Sequence, residues 1–184
     1  MVVIAVTGMP GAGSSTISKM LAKKLKIKYF SPGEYFKKHS KKKTETDQAL
    51  SYWKTEEGSS KKLHNYIENL QIKIAKKGNI VICGKLSIFA LRNIPSIKIW
   101  LECSLEERAK RTSERDKINV EEAIKKITER EKMEDVEWEK IYSINRRNQQ
   151  KWANLVVDTR KMTKEQTVEF ILKKIKLSRD GSRL

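Results

Sequence analysis

The chain has 184 residues, 38% of them apolar, and a net charge of +17 from 40 lysines and arginines against 23 acids. That length suits one domain with a proper core, and no apolar run approaches a membrane span. The two cysteines, Cys83 and Cys103, exclude a disulfide scaffold and lack metal or redox spacing.

The excess charge attracts polyanions of any kind. The first apolar run is short, has no basic prelude and leads straight into a glycine loop, so the expectation is a cytoplasmic monomer whose fold starts at Val2.

Taken in chain order, VVIAVT (2–7) is an unbroken apolar, β-branched run, as in a parallel strand buried on both faces. GMPGAGSST (8–16) follows at once, and STISKMLAKKLK repeats Ile17, Met20, Leu21 and Leu25 at helical spacing. IKYFS (27–31) reads as a second strand stopped by Pro32 and Gly33. The polar stretch 34–57 reads as short helices, with KKHSKKK (37–43) on a solvated face. A helix over 60–78 carries Leu63, Ile67, Leu70 and Ile74 and ends at Gly78.

NIVICG (79–84) and IKIWLE (97–102) are the third and fourth strands. Ser104 and Glu107 predict a capping box, and Asn119 opens a long helical stretch to residue 144. NLVVDT (154–159) is the fifth strand, Thr163 and Gln166 cap a final amphipathic helix, and 178–184 should fray. Such alternation predicts an α/β fold of three layers, a five-stranded parallel sheet with helices on both faces and ligands at the carboxyl ends of the strands. A strand, glycine loop and helix at the start narrow this to the P-loop kinase type.

The loop is the first piece of chemistry. Its backbone N–H groups and the dipole of the following helix converge on one point and stabilise phosphate oxygens without any side chain. Gly8, Gly11 and Gly13 let the chain turn and approach, and Pro10 stiffens it. Ser15 stands where a loop hydroxyl ligates magnesium. The usual lysine is missing, because Ser14 occupies its place. Losing a charge-assisted bond costs about 1.5–3 kcal/mol in binding, and a lost transition-state donor costs about 10²–10³ in rate. Another cation must therefore reach the same oxygens.

Arg108, Arg111 and Arg115 in SLEERAKRTSER share one helical face, and Arg130 follows in TEREK. A convergent arginine face suits phosphoryl transfer, which depends on positioning and neutralisation of the transferring group. His39 and His64 have no ligand-spaced partners, and Trp53, Trp100, Trp138 and Trp152 read as packing anchors.

With these residues in view, the chain resembles the archaeal cytidylate kinases, small members of the nucleoside monophosphate kinase family. The likeness is carried by GMPGAGSST, SPGEYFKK, IAKKGNIVICGKL, LEERAKRTSER, ITEREK, EKIYSIN and NLVVDT. The resemblance implies ATP and Mg2+ as cofactors and CMP or dCMP as acceptor, and several members carry a hydroxyl where Ser14 stands. It implies that Gly8, Met9, Pro10, Gly11, Ala12, Gly13, Ser14, Ser15 and Thr16 hold the triphosphate, with Ser15 on the metal and Asp158 to Lys161 beside adenine.

It further implies that Lys37, Gly84 and Lys85 contact the acceptor phosphate and that Gln71 faces the base. Arg108, Arg111, Arg115 and Arg130, with Lys85, clamp the transferring group. One domain over 1–177 is implied, with an acceptor-binding insertion over about 32–77 and a lid over about 112–135. Four positions depart from the family. Lys37 and Lys85 each replace an arginine, Cys83 replaces an acidic residue before Gly84-Lys85, and Glu137 replaces an arginine before Trp138, reversing a charge expected to face phosphates.

The residues leave three functions open. One is a CMP kinase, and a second is a kinase for another monophosphate such as AMP or UMP. The third is a kinase-like factor that binds RNA or the ribosome through its basic surface.

Overall fold

The computed structural model describes residues 1–34, 42–56 and 58–179. The strands are β1 (Val3–Gly8), β2 (Lys28–Phe30), β3 (Ile80–Cys83), β4 (Ile97–Glu102) and β5 (Leu155–Asp158), all parallel in the order β2-β3-β1-β4-β5. The helices are α1 (Ser14–Leu25), α2 (Glu45–Trp53), α3 (Lys61–Lys76), α4 (Ser87–Ala90), α5 (Leu105–Asp116), α6 (Val120–Tyr142) and α7 (Lys164–Arg179). A 3-10 helix spans Arg146–Trp152.

The strand assignments from sequence hold within a residue or two at their ends. β1 is central and buried at every residue, which is why its sequence runs apolar without alternation. One face of the sheet packs Ile4, Val6, Val81, Ile99 and Leu101 against Ile17 and Leu21 of α1 and Ile171 and Ile175 of α7. The other packs Ala5, Ile80, Ile82 and Trp100 against Ala75 of α3 and Ile88 of α4. A satellite cluster of Ala109, Ala123 and Ile127 joins α5 to α6. Both thiols are buried. Among the described residues no helix is long and apolar enough to cross a membrane.

Local signals set the helix ends. Asn119 accepts from Glu122 N–H at 2.7 Å, and Thr163 and Gln166 form a full reciprocal box at 2.9 and 3.2 Å. Gly78 takes φ +71 just after α3. The box expected at Ser104 is only half made. Glu107 N–H donates to Ser104 Oγ at 3.4 Å, but the Glu107 carboxylate goes forward to Arg111 at 3.0 Å instead of back to the cap.

Three sequence expectations change or stay open. The long helical stretch ends at Tyr142, and the 3-10 helix after it and the short α4 were not anticipated. Helix α7 runs through Arg179, where fraying was expected, and 180–184 lie outside the described residues. Lys37, His39 and most of the KKHSKKK cluster also lie outside them.

Candidate active site

All five strands point their carboxyl ends at one edge, and β1 delivers the glycine loop there. Gly11 and Gly13 take φ +83 and +89, a region closed to most side chains. A Cβ on Gly11 would lie 2.8 Å from the Arg108 carbonyl oxygen, so loop and α5 touch backbone to backbone. Gly13 caps α1 without a side-chain bond, leaving the first N–H groups of that helix for an anion. Pro10 through Ile17 line a cleft of about 900 Å³. Gly8 and Met9 do not line it. Met9 is buried in the core, and Gly8 contributes its carbonyl oxygen to a bond with Lys85.

The four arginines, expected to converge, divide their tasks. Arg108 is 3% exposed and lies beneath the loop, not in the cleft, donating to Pro10 O at 2.9 Å and pairing with Glu131. It positions the loop and does not face the ligand space, which corrects its expected role in a phosphoryl clamp. Arg111 lines the cleft, held by Glu107 and by two bonds to Thr159 at 3.0 and 2.8 Å, with one guanidinium nitrogen 4.0 Å from where a Gly13 Cβ would sit. Arg115 lines it too, tied to Asp116 at 2.8 Å and to Thr46 of α2 at 2.8 Å. Arg130 donates to Glu134 at 2.7 Å.

A second cavity opens beside the first, lined by His64, Ile67, Glu68 and Gln71 of α3, Phe89 of α4, and Trp138 and Tyr142 of α6. Gly33, Gly84, Lys85 and Arg130 line both spaces. Lys85 Nζ donates to Gly8 O at 2.8 Å, which puts an ammonium against the first residue of the glycine loop. Burial, and then the Arg130 charge, push the Lys85 ammonium well below the usual lysine range, while Glu134 opposes them.

Glu134 is 1% exposed; burial alone would raise its carboxyl, but Arg130, Arg146 and Lys85 hold it below the usual carboxylate value. Arg146 is 1% exposed, pairs with Glu134 at 3.2 Å and Asp135 at 2.8 Å, and lies over the Trp138 ring. Gln149 is fully buried and holds the Lys85 loop, donating to Lys85 O at 2.8 Å and accepting from Phe89 N–H at 3.1 Å.

Sequence reasoning missed Glu134, Arg146 and Gln149. The only signal for them was a set of polar residues on an otherwise packed helix and an aperiodic segment after it.

Gln71 lies in the second cavity as expected, 4% exposed, its Oε1 accepting from Ser87 Oγ at 2.7 Å. Trp138 and Tyr142 also line it, so Trp138 does more than anchor packing. Burial, and then the charge of Glu68, raise the Tyr142 hydroxyl pKa. His64 is kept below the usual histidine range by burial, with its ring bonded to Gly58 O at 2.9 Å.

Two other expectations need correction. Asp158 does not line the nucleotide cleft. It faces solvent and binds Arg160, which brings its carboxyl down to about 2, while Thr159, Met162 and Thr163 form that wall. Glu137 lines neither space and pairs with Lys140 of its own helix at 2.8 Å. Cys83 does line the cleft, at the end of β3.

A parallel sheet with a glycine loop after β1, cationic groups between two joined cavities and helices on both faces defines a P-loop kinase. Residues 3–161 match the cytidylate kinase-like family, and the chain belongs to that family. It is 33% identical over 162 residues to a cytidylate kinase of Methanocaldococcus jannaschii, covering 86% of this chain and 89% of that one. It is 31% identical to a cytidylate kinase of Ignicoccus hospitalis, covering 93% and 97%. A solved shikimate kinase from Acinetobacter baumannii in complex with shikimate shares the fold, with a TM-score of 0.64 at 18% identity over 99% of this chain and 96% of that one.

Proposed function

We propose that this protein transfers the terminal phosphoryl group of ATP, delivered with Mg2+, to the phosphate of a pyrimidine nucleoside monophosphate, CMP or dCMP. One observation carries the reading: Lys85, just after β3 and against the glycine loop, and Arg130 of α6 both line the two cavities. A group passing from donor to acceptor would cross from one to the other.

The loop N–H groups and the α1 dipole would hold the donor phosphates. Arg111 would flank them on the nucleotide side. An oxygen of the acceptor phosphate would attack the terminal phosphorus in line as the bond to the leaving ADP oxygen breaks, with Lys85 and Arg130 neutralising charge on the transferring oxygens. The lid over about 112–135 brings Arg115 and Arg130, and the insertion over about 32–77 walls the acceptor cavity.

The residues fit a metal that arrives on the nucleotide. The Ser15 hydroxyl lines the cleft and makes no hydrogen bond among the described residues, so it is available as one hard oxygen ligand. Cys83 offers a soft thiol where the family carries a carboxylate, leaving the other positions to water and phosphate oxygens. Bound there, the ion would screen the phosphates.

ADP formation measured with CMP, dCMP, UMP and AMP in the presence of Mg·ATP tests the reading. Saturable turnover with CMP or dCMP is expected. No ADP above background with any acceptor, at enzyme concentrations near those of the nucleotides, overturns it.

A second reading, RNA binding, is favoured by the opposite end of the sheet. No acidic residue occurs in 1–33 or in 69–101. Those segments meet where Lys28 N–H donates to Asn79 O at 3.0 Å and Val2 N–H to Asn79 Oδ1 at 3.1 Å. Lys23, Lys24, Lys26, Lys28, Lys76 and Lys77 are exposed there and make no ion pair among the described residues.

A further inference from the structure

We propose that Glu68 and Gln71 form the base-reading edge of the acceptor cavity and select an amino-bearing pyrimidine, cytosine, over the keto pyrimidine, uracil. The inference rests on the reading of that cavity as the acceptor site.

The two residues are three apart on α3 and so share one face of the helix, and both line the cavity. Ser87 supplies a hydroxyl to the Gln71 carbonyl oxygen at 2.7 Å, which fixes the amide so that its NH2 remains as donor. Glu68 is an acceptor only. It is held by Arg92 at 3.4 Å, and Arg92 is itself fixed by a 2.7 Å bond to Phe89 O and by stacking 4.0 Å from the Phe89 ring centre. Glu68 of α3 and Tyr142 of α6 line the same cavity.

The edge therefore offers a donor beside an acceptor. Cytosine presents the complement, an N3 acceptor next to a 4-amino donor. Uracil inverts both, setting its O4 against the carboxylate and its N3–H against the amide donors. Buried polar groups left facing their like are the strongest means a site has of rejecting an analogue. Adenine carries the same donor and acceptor order as cytosine, so this pair excludes keto bases and leaves purine rejection to cavity size.

The test compares kcat/KM for CMP, UMP and AMP in the wild type, Glu68→Gln and Glu68→Asp, with equilibrium binding of CMP and UMP measured alongside. A glutamine at 68 can turn its NH2 toward O4, so the CMP/UMP ratio is expected to fall by at least about 10-fold, while Glu68→Asp keeps the preference for CMP. If Glu68→Gln does not fold, Glu68→Ala decides instead: its CMP/UMP ratio is expected to fall, and an unchanged ratio overturns the proposal. Equal use of CMP and UMP by the wild type, or an unchanged ratio in Glu68→Gln, overturns the proposal and leaves the kinase reading standing. Preferential binding of CMP over UMP with no turnover of either overturns the kinase reading and supports the base-reading edge.

Discussion

Ser14 stands where a loop lysine would carry positive charge, and the fold brings that charge from another strand. Lys85 reaches the loop from just after β3, and Arg130 lines the same cleft from α6. Three donors on the ammonium leave two for a ligand after Gly8 O is satisfied. The depressed Lys85 pKa gives this arrangement a pH signature. In the proposed reaction the charged form would neutralise the phosphates, so raising pH through the Lys85 pKa would remove activity, and the alkaline limb of kcat/KM should lie below the ordinary lysine value of about 10.4. Lys85→Arg stays protonated throughout, and its residual activity should lack that limb. An identical limb in both proteins would place the titration elsewhere.

Sequence legibility at this scale was uneven. Gly11, Gly13 and Ser15 are local to one motif and could be placed from the motif alone. Arg108 shared the helical stripe of Arg111 and Arg115, yet the stripe is wide enough for one arginine to pass under the loop while the others face the cleft. Periodicity gives a face and cannot tell which backbone will lie against it. Glu137 shows the same limit, since it pairs with Lys140 one turn away.

Helix termini decide much at the scale of elements. Where a cap is local, as at Asn119 or at Thr163 with Gln166, the sequence states it and the structure repeats it. The 3-10 helix over Arg146–Trp152 has no such period, although it holds Lys85 through Gln149 and Glu134 through Arg146. Its partners lie in the loop after β3 and on α4, β4 and α6, so its importance is tertiary and invisible to a local reading.

The carboxyl ends of α1 and α3 collect lysines at the far edge of the sheet, where the helix dipole itself favours cations. If those lysines also bind RNA, log affinity for a single-stranded RNA should fall with log salt at a slope of about −0.7 per lysine engaged. Reversing Lys24, Lys26 and Lys76 to glutamate should flatten that slope by about 2 and leave phosphoryl transfer unchanged. An unaltered slope, or RNA displaced by ATP, would contradict binding at this end.

Along the strand direction the whole molecule separates the candidate active site from the lysine-rich edge. The strand order β2-β3-β1-β4-β5 puts β3 beside β1, which alone brings Lys85 to the glycine loop from 77 residues away. Alternating strands and helices made the architecture legible, because buried parallel strands need apolar runs and the connections need helices. The meeting of the two cavities was not legible, since it depends on how α3, α4 and α6 close around one end of β3. Half-buried Lys85 and Arg130 cluster there with buried Arg146 and Glu134, and removing one partner of the buried Arg146–Glu134 pair costs about 3–5 kcal/mol in stability. Phosphoryl transfer would thus share its charged groups with the packing of the fold.

The most direct measurement is the single-turnover rate of phosphoryl transfer from Mg·ATP to CMP in the wild type, in Lys85→Met and in Lys85→Met combined with Ser14→Lys, with folding verified by thermal melting. The account predicts a fall of about 10²–10³ in Lys85→Met and a partial recovery when lysine is placed at position 14. A Lys85→Met protein that folds and turns over at the wild-type rate would contradict it.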